Sequence, residues 1–341
     1  MLNILICIIL LFCTQPLLAL RVGAKNSSSV QNLVTFPAST GNIIVGYTRL
    51  ERGFRFTNNR TTCTFDGYLP VSGPVTLNDG VLFLYKDFVL SQTLSSLSSG
   101  RIRGNHHSFV LPQMSADYTL PGVLDFDEIT LVCSSNVSIE GELQFSNQCK
   151  IDGQGKELTF NGGSIVVHPN SYLILENAYL SNFGTSRLRC LTNTSSITLR
   201  NCTMLLSSDY NFEQGSLFFD MDNVVIGTCK FIYSSPVGST IGPRSTLVFD
   251  RGTTLSYAPL RANQDLIFMT DQTSRLYLDG ASLYSTRTGL HLNNGTLILD
   301  DYVTMSSDAQ FAAEALWLDS GLNVVIRAGA AVEMFGSVKY E

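Results

Sequence analysis

Two alternating apolar positions, a polar turn and a further apolar pair return about every 25 residues along the C-terminal two thirds of this chain. In one alignment the pairs are Leu173–Leu175, Ile197–Leu199, Val224–Ile226, Leu247–Phe249, Leu276–Leu278, Leu297–Leu299 and Val324–Ile326. A second series runs ahead of it, at Ile165–Val167, Leu217–Phe219, Leu266–Phe268, Leu290–Leu292 and Leu316–Leu318. A third trails it, at Ala178–Leu180, Cys202–Met204, Cys229–Phe231 and Ala281–Leu283. Three short strands in a repeat of this length describe one coil of a right-handed parallel β-helix, an all-β solenoid. One such unit cannot bury its apolar face alone, so coils must stack. Inward residues then pile on the same position one coil away, and the alternates face solvent.

The same rhythm is looser upstream. Pro74-Val75-Thr76-Leu77-Asn78-Asp79-Gly80-Val81-Leu82-Phe83-Leu84 resembles Gly163-Ser164-Ile165-Val166-Val167-His168-Pro169-Asn170-Ser171-Tyr172-Leu173 in layout. The helix is therefore expected over residues 65–341, with 20–64 as a lead-in or cap. Asn177, Asn201, Thr228, Gly280 and Asp301 mark the turn after each middle strand. Stacked Asn side chains at such a turn hydrogen-bond along the axis, and Gly tolerates positive φ there. The repeat still runs at Val324 to Met334 and no capping helix is legible after it. An open last coil needs a cap, a partner or more chain, because it is an unpaired sheet edge.

The N-terminus reads as a secretory leader over residues 1–19. Ile4 to Phe12 is apolar, Cys13-Thr14-Gln15-Pro16 interrupts it, and Leu17-Leu18-Ala19 supplies a cleavage site. The apolar run falls short of the about 20 residues a membrane-spanning helix needs. No other stretch of the chain is suited to crossing as a helix, so the mature chain is expected to lack one. A net charge of −6, with no two Lys or Arg adjacent, argues against a nucleic-acid partner. Export makes disulfides chemically available to Cys63, Cys133, Cys149, Cys190, Cys202 and Cys229. Cys202 and Cys229 share a register with Ala178 and Ala281 in this alignment, so both read as small core fillers, with a mutual disulfide as the alternative.

Ile151-Asp152-Gly153-Gln154-Gly155, followed by Leu158 and Phe160, resembles the IDGxG segment of the pectin-lyase-like superfamily of right-handed β-helices. The resemblance spans about residues 70 to 335 as a pattern of spacing. Members of that superfamily include polygalacturonases, pectate lyases, phage tailspikes and surface adhesins. A polygalacturonase-like member implies Asn-Thr-Asp, an adjacent Asp pair, Gly-His-Gly and Arg-Ile-Lys. This chain has only the pair, Asp300-Asp301, and an upstream Arg101-Ile102-Arg103. A pectate-lyase-like member implies clustered carboxylates around calcium, which takes six to eight oxygens.

The first position after the middle strand carries Glu176, Arg200, Gly227, Asp250, Asp279 and Asp300. Asp250, Asp279 and Asp300 on consecutive coils make an acidic ladder, the one candidate calcium site; the competing reading is a solvated turn ladder, partly neutralised by neighbours such as Arg251. His106, His107, His168 and His291 lack ligand spacing and read as surface residues. Gly162-Gly163-Ser164-Ile165 and Phe56-Thr57-Asn58-Asn59 resemble the short repeats of polymorphic outer-membrane adhesins. With no assembled catalytic set, the expectation is an exported, non-enzymatic β-helix at the cell surface, without a cofactor. It would meet a host or envelope surface protein or a polysaccharide. The alternative is a lyase or hydrolase of acidic polysaccharide.

Overall fold

The computed structural model describes residues 80–90, 96–258, 269–286, 289–308 and 315–340, together with Leu77 and the backbone of short strands between Leu20 and Leu77 and of residues 267–268. The expected leader over 1–19 and the side chain of Cys63 lie outside the described residues. The described chain is all-β, without a helix, and winds as a parallel β-solenoid of about 11 turns. No helix among the described residues is long and apolar enough to cross a membrane.

Each turn lays one strand on each of three walls. The first wall stacks Gly80–Leu84, Ser99–Arg103, Val123–Asp127, Glu142–Ser146, Ser164–Val167 and Leu188–Cys190. In later turns its place in chain order passes to a six-stranded ladder from Tyr210–Phe212 to Ala331–Gly336. The second wall includes Ser196–Arg200, Ser216–Asp220 and Ser239–Ile241. The third includes Thr203–Leu206, Asp222–Gly227, Thr246–Phe249, Arg275–Asp279, Thr296–Asp300 and Asn323–Ile326. Gln148–Phe160 and Tyr172–Phe183 cross from the second wall to the third without a break in the strand.

Alternation decides the core. Leu276 and Leu278 pair with Leu297 and Leu299 one turn on, and all four are buried. Aromatic residues stack along the same axis: Phe126 on Phe145 at 5.1 Å and Phe212 on Tyr233 at 5.6 Å between ring centroids. Burying each such side chain contributes about 1.5–3 kcal/mol, and offset stacking adds to it. The parallel pairing reaches upstream of residue 65. Leu20–Val22 pairs with Ile43–Val45, Asn42–Val45 with Thr62–Phe65, and Thr62–Phe65 with Val81–Leu84. The lead-in is thus built of the same ladder.

The register corrects the sequence alignment in two ways, by one-residue slips and by a change of wall. Asn223 and Val225, not Val224 and Ile226, are the partners of Leu247 and Phe249. Ile267 and Met269, not Leu266 and Phe268, are those of Ser239 and Ile241. Ile197 pairs with Leu217, not with Val224, and Val224 pairs with Thr203. The aligned series therefore passes from the second wall to the third between Ile197–Leu199 and Val224–Ile226. Consequently Cys202 and Cys229 do not stack on each other. Cys202 lies beside Asn223, whose side-chain oxygen accepts from the Cys202 N–H at 3.1 Å, while Cys229 adjoins the first-wall strand Lys230–Tyr233. Cys133, Cys149, Cys190, Cys202 and Cys229 are free thiols. Burial pushes the Cys133, Cys149 and Cys190 thiols up to about 12, so they behave as core fillers rather than nucleophiles.

Candidate functional site

The corners between walls carry the charged and left-handed residues. At the corner from second to third wall, Asn177 and Asn201 adopt positive φ, and the Asn201 amide donates to the Asn177 side-chain oxygen at 3.2 Å. The expected Asn stack is present there. Gly280 and Asp301, grouped with them in the sequence, also have positive φ but occupy the next corner, from third to first wall.

The candidate calcium residues divide in the same way. Asp279 and Asp300 are register partners on the third wall, and Asp250 directly follows Phe249, the partner of Leu278. Glu176 and Arg200 belong instead to a second-wall row that continues into Asp220. So Asp250, Asp279 and Asp300 do follow one another along one edge, with backbones about 4.8 Å apart. The row ends in a cation: Arg327 Nε stands 3.5 Å from Asp300 Oδ2, and its guanidinium lies 5.2 Å from the Tyr277 ring centroid. The Tyr277 hydroxyl donates to Asp300 at 2.7 Å, and Arg251 pairs with Asp301. Arg251 is the neutralising neighbour the sequence pointed to, whereas Tyr277 and Arg327 were invisible as partners because they lie 23 and 27 positions from Asp300.

These contacts drive the two central carboxyls apart. Burial, then the charges of Asp300, Asp250 and Asp301, raise Asp279 above its ordinary value, against the opposing Arg251. The Tyr277 hydroxyl, the Asp301 N–H and Arg327 lower Asp300, with desolvation opposing them. The Tyr277 phenol rises to about 12, chiefly because it donates to Asp300. A lowered acid stabilises the fold above its unfolded pKa and loses that contribution as pH falls through the folded value. Asp279 has the reverse sign: its ionised form is disfavoured in the fold, and protonation relieves it. Carbon-detected NMR titration should show Asp279 taking up its proton at higher pH than Asp300. Coincident titration of the two would remove this assignment.

Among the described residues no group of three or more His, Cys, Asp or Glu side chains is arranged to hold a metal ion. The histidines are dispersed. His106 is exposed, His107 lies 3.7 Å from Asp87, His168 meets Gln144 at 3.3 Å, and His291 lies 3.6 Å from Asp319 and stacks on Trp317.

On the first wall the outward charges pair between turns: Arg101 with Asp125, Arg103 with Asp127 at 3.8 Å, and Arg189 with Glu142 at 3.1 Å. Gln144 adds a 2.6 Å bond to Glu142, and Phe83 lies beneath Arg103 at 5.3 Å. A comparison with family models, with curated proteins and with solved structures finds no match to this chain.

Proposed function

We propose that the protein is an exported, non-enzymatic β-helix of the pectin-lyase-like type that serves as a surface structural or binding module. Its partner is a surface protein or a polysaccharide. The observation that carries this reading is the first wall. Its charged side chains are matched one against another along the axis, Arg101 to Asp125 and Arg103 to Asp127 on adjacent turns and Arg189 to Glu142 two turns apart. A reaction centre needs polar groups converging on one point; a regular wall of matched pairs is suited to extended contact. The test is calorimetric titration of the purified chain with a panel of surface polysaccharides, with product analysis on the same samples. Saturable binding without new reducing or unsaturated ends is the expected result. Release of such ends would replace this reading with an enzymatic one.

The enzymatic reading, a lyase or hydrolase of acidic polysaccharide, is favoured by one specific observation. Asp279 and Asp300 are neighbours whose surroundings move them in opposite directions, the pattern by which acid and base roles are divided between two carboxyls. A calcium ion on Asp250, Asp279 and Asp300 would serve the lyase version. Asp300 already accepts from Tyr277 and faces Arg327, which lowers its charge available to a cation. Calcium heats abolished in Asp279→Ala would support that version.

A further inference from the structure

The Asn stack at the corner from second to third wall stops after Asn201. On the next turns the left-handed positions are filled by Met221, at φ 59°, and Arg244, at φ 56°. Asn tolerates this conformation; Met and Arg are strained in it. Both backbones are held in place, Met221 N–H donating to Ser245 Oγ at 2.8 Å and Arg244 N–H to Thr273 Oγ1 at 2.7 Å. His106, Glu128, Gln154 and Ser186 share this conformation at other corners; Met221 and Arg244 differ in lining one groove together.

The same two residues line an open groove of about 590 Å³, with Glu176, Arg200, Asp220, Pro243 and Ser245. Its charges are unequal in availability. Arg200 lies 3.1 Å from Asp220, and Lys150 lies 2.6 Å from Glu176, so these four neutralise one another. Arg244 is exposed and pairs with no carboxylate among the described residues. Met221 stands 53% exposed beside it, and Pro243 is exposed as well.

We propose that this groove binds a glycan in which a carboxylated sugar alternates with a neutral one, Arg244 holding the carboxylate. The guanidinium supplies a charge-assisted, two-pronged contact. Glu176 and Asp220 accept hydrogen bonds from sugar hydroxyls, and Met221 with Pro243 offers an apolar surface to the C–H face of a ring. The two acids also set the spacing. Paired with Lys150 and Arg200, they leave Arg244 as the one cation of the lining free to meet a ligand charge, which suits one isolated carboxylate and a neutral ring beside it. The volume falls within the range of small-ligand sites. This inference rests on the reading of the protein as a binding module and gives that reading a site.

The test uses the full chain and a hyaluronan tetrasaccharide, with its carboxyl-reduced form as the neutral counterpart, measured by calorimetry. The intact chain is expected to bind the acidic tetrasaccharide, and Arg244→Asn to bind it about tenfold more weakly, as for loss of one hydrogen-bonded charge. Arg244→Asn should meanwhile melt at a higher temperature, because Asn is at ease at that φ. A residue kept only for the fold would not trade affinity for stability in this way. Equal affinity of Arg244→Asn and the intact chain, equal affinity for the two sugars, or no binding of the tetrasaccharide would each overturn the proposal. If those results came with retained binding to the polysaccharide panel, the groove assignment alone would fall. Loss of panel binding as well would remove the module reading too.

Discussion

Gly141→Ala is expected to destabilise the solenoid by about 3 kcal/mol, read as a lower midpoint in urea unfolding followed by circular dichroism. At the corner where the third wall returns to the first, Gly122, Gly141 and Gly163 sit above one another on successive turns. A Cβ on Gly141 would overlap the carbonyl of Gly122, and one on Gly163 would overlap that of Gly141. The neighbouring atoms are backbone, already committed: Gly141 N–H donates to Leu120 and Ser164 N–H to the Gly141 carbonyl, both at 3.0 Å. Nothing flexible is available to move aside, so the added methyl must separate two turns. Gly155 is the control, since a Cβ there meets nothing within 4 Å. Its φ of 74° still penalises alanine modestly. A Gly141→Ala midpoint within error of the parent would show that the turns can part at this corner without loss.

Asn223→Leu should be comparably damaging, at about 3 kcal/mol or more, because it strands several backbone groups at once. Asn223 is completely buried. Its amide donates to the carbonyls of Leu199 at 3.2 Å and Asp220 at 2.9 Å, and its oxygen accepts from Cys202 N–H at 3.1 Å. One side chain thus ties three stretches of chain together at the point where the wall changes. Leucine matches its size yet leaves these donors and acceptors unpaired in a dry interior. Hydrogen exchange should localise the loss to the turns around 199–223. A uniform loss across all turns would contradict nearest-neighbour stacking.

Asn223 also marks where reading the sequence failed. Between Leu199 and Val224 the turn lengths change, and the alignment of apolar pairs stepped from one wall to the next. Nothing local signals that step, because Ile197–Leu199 and Val224–Ile226 look alike in sequence, although Ile197 and Leu199 are buried while Val224 and Ile226 are the outer alternates of the buried Asn223 and Val225. The pairing of Cys202 with Cys229 fell with the same slip. Along the third wall from Leu247 the reading held: through Leu276 and Leu297 to Val324 the expected stacking is the observed pairing. That stretch includes the sequential order of Asp250, Asp279 and Asp300. Arg251 was legible as a neutralising neighbour of that row, but Tyr277 and Arg327 are ordinary residues in sequence and become partners only through the turn length between them.

By itself the sequence determined that this chain is all-β, that it winds in three-stranded coils, and, along the regular turns, which residues alternate into the core; at Asn223 and Val225 it chose the opposite face. Those properties depend on period, and period survives in one dimension. Only the tertiary structure decided which outward side chains meet. Arg244 shares a groove with Glu176 and Arg200 because two intervening corners have particular lengths. A single residue added to either corner would leave the apolar pattern intact and bring a different side chain to that place.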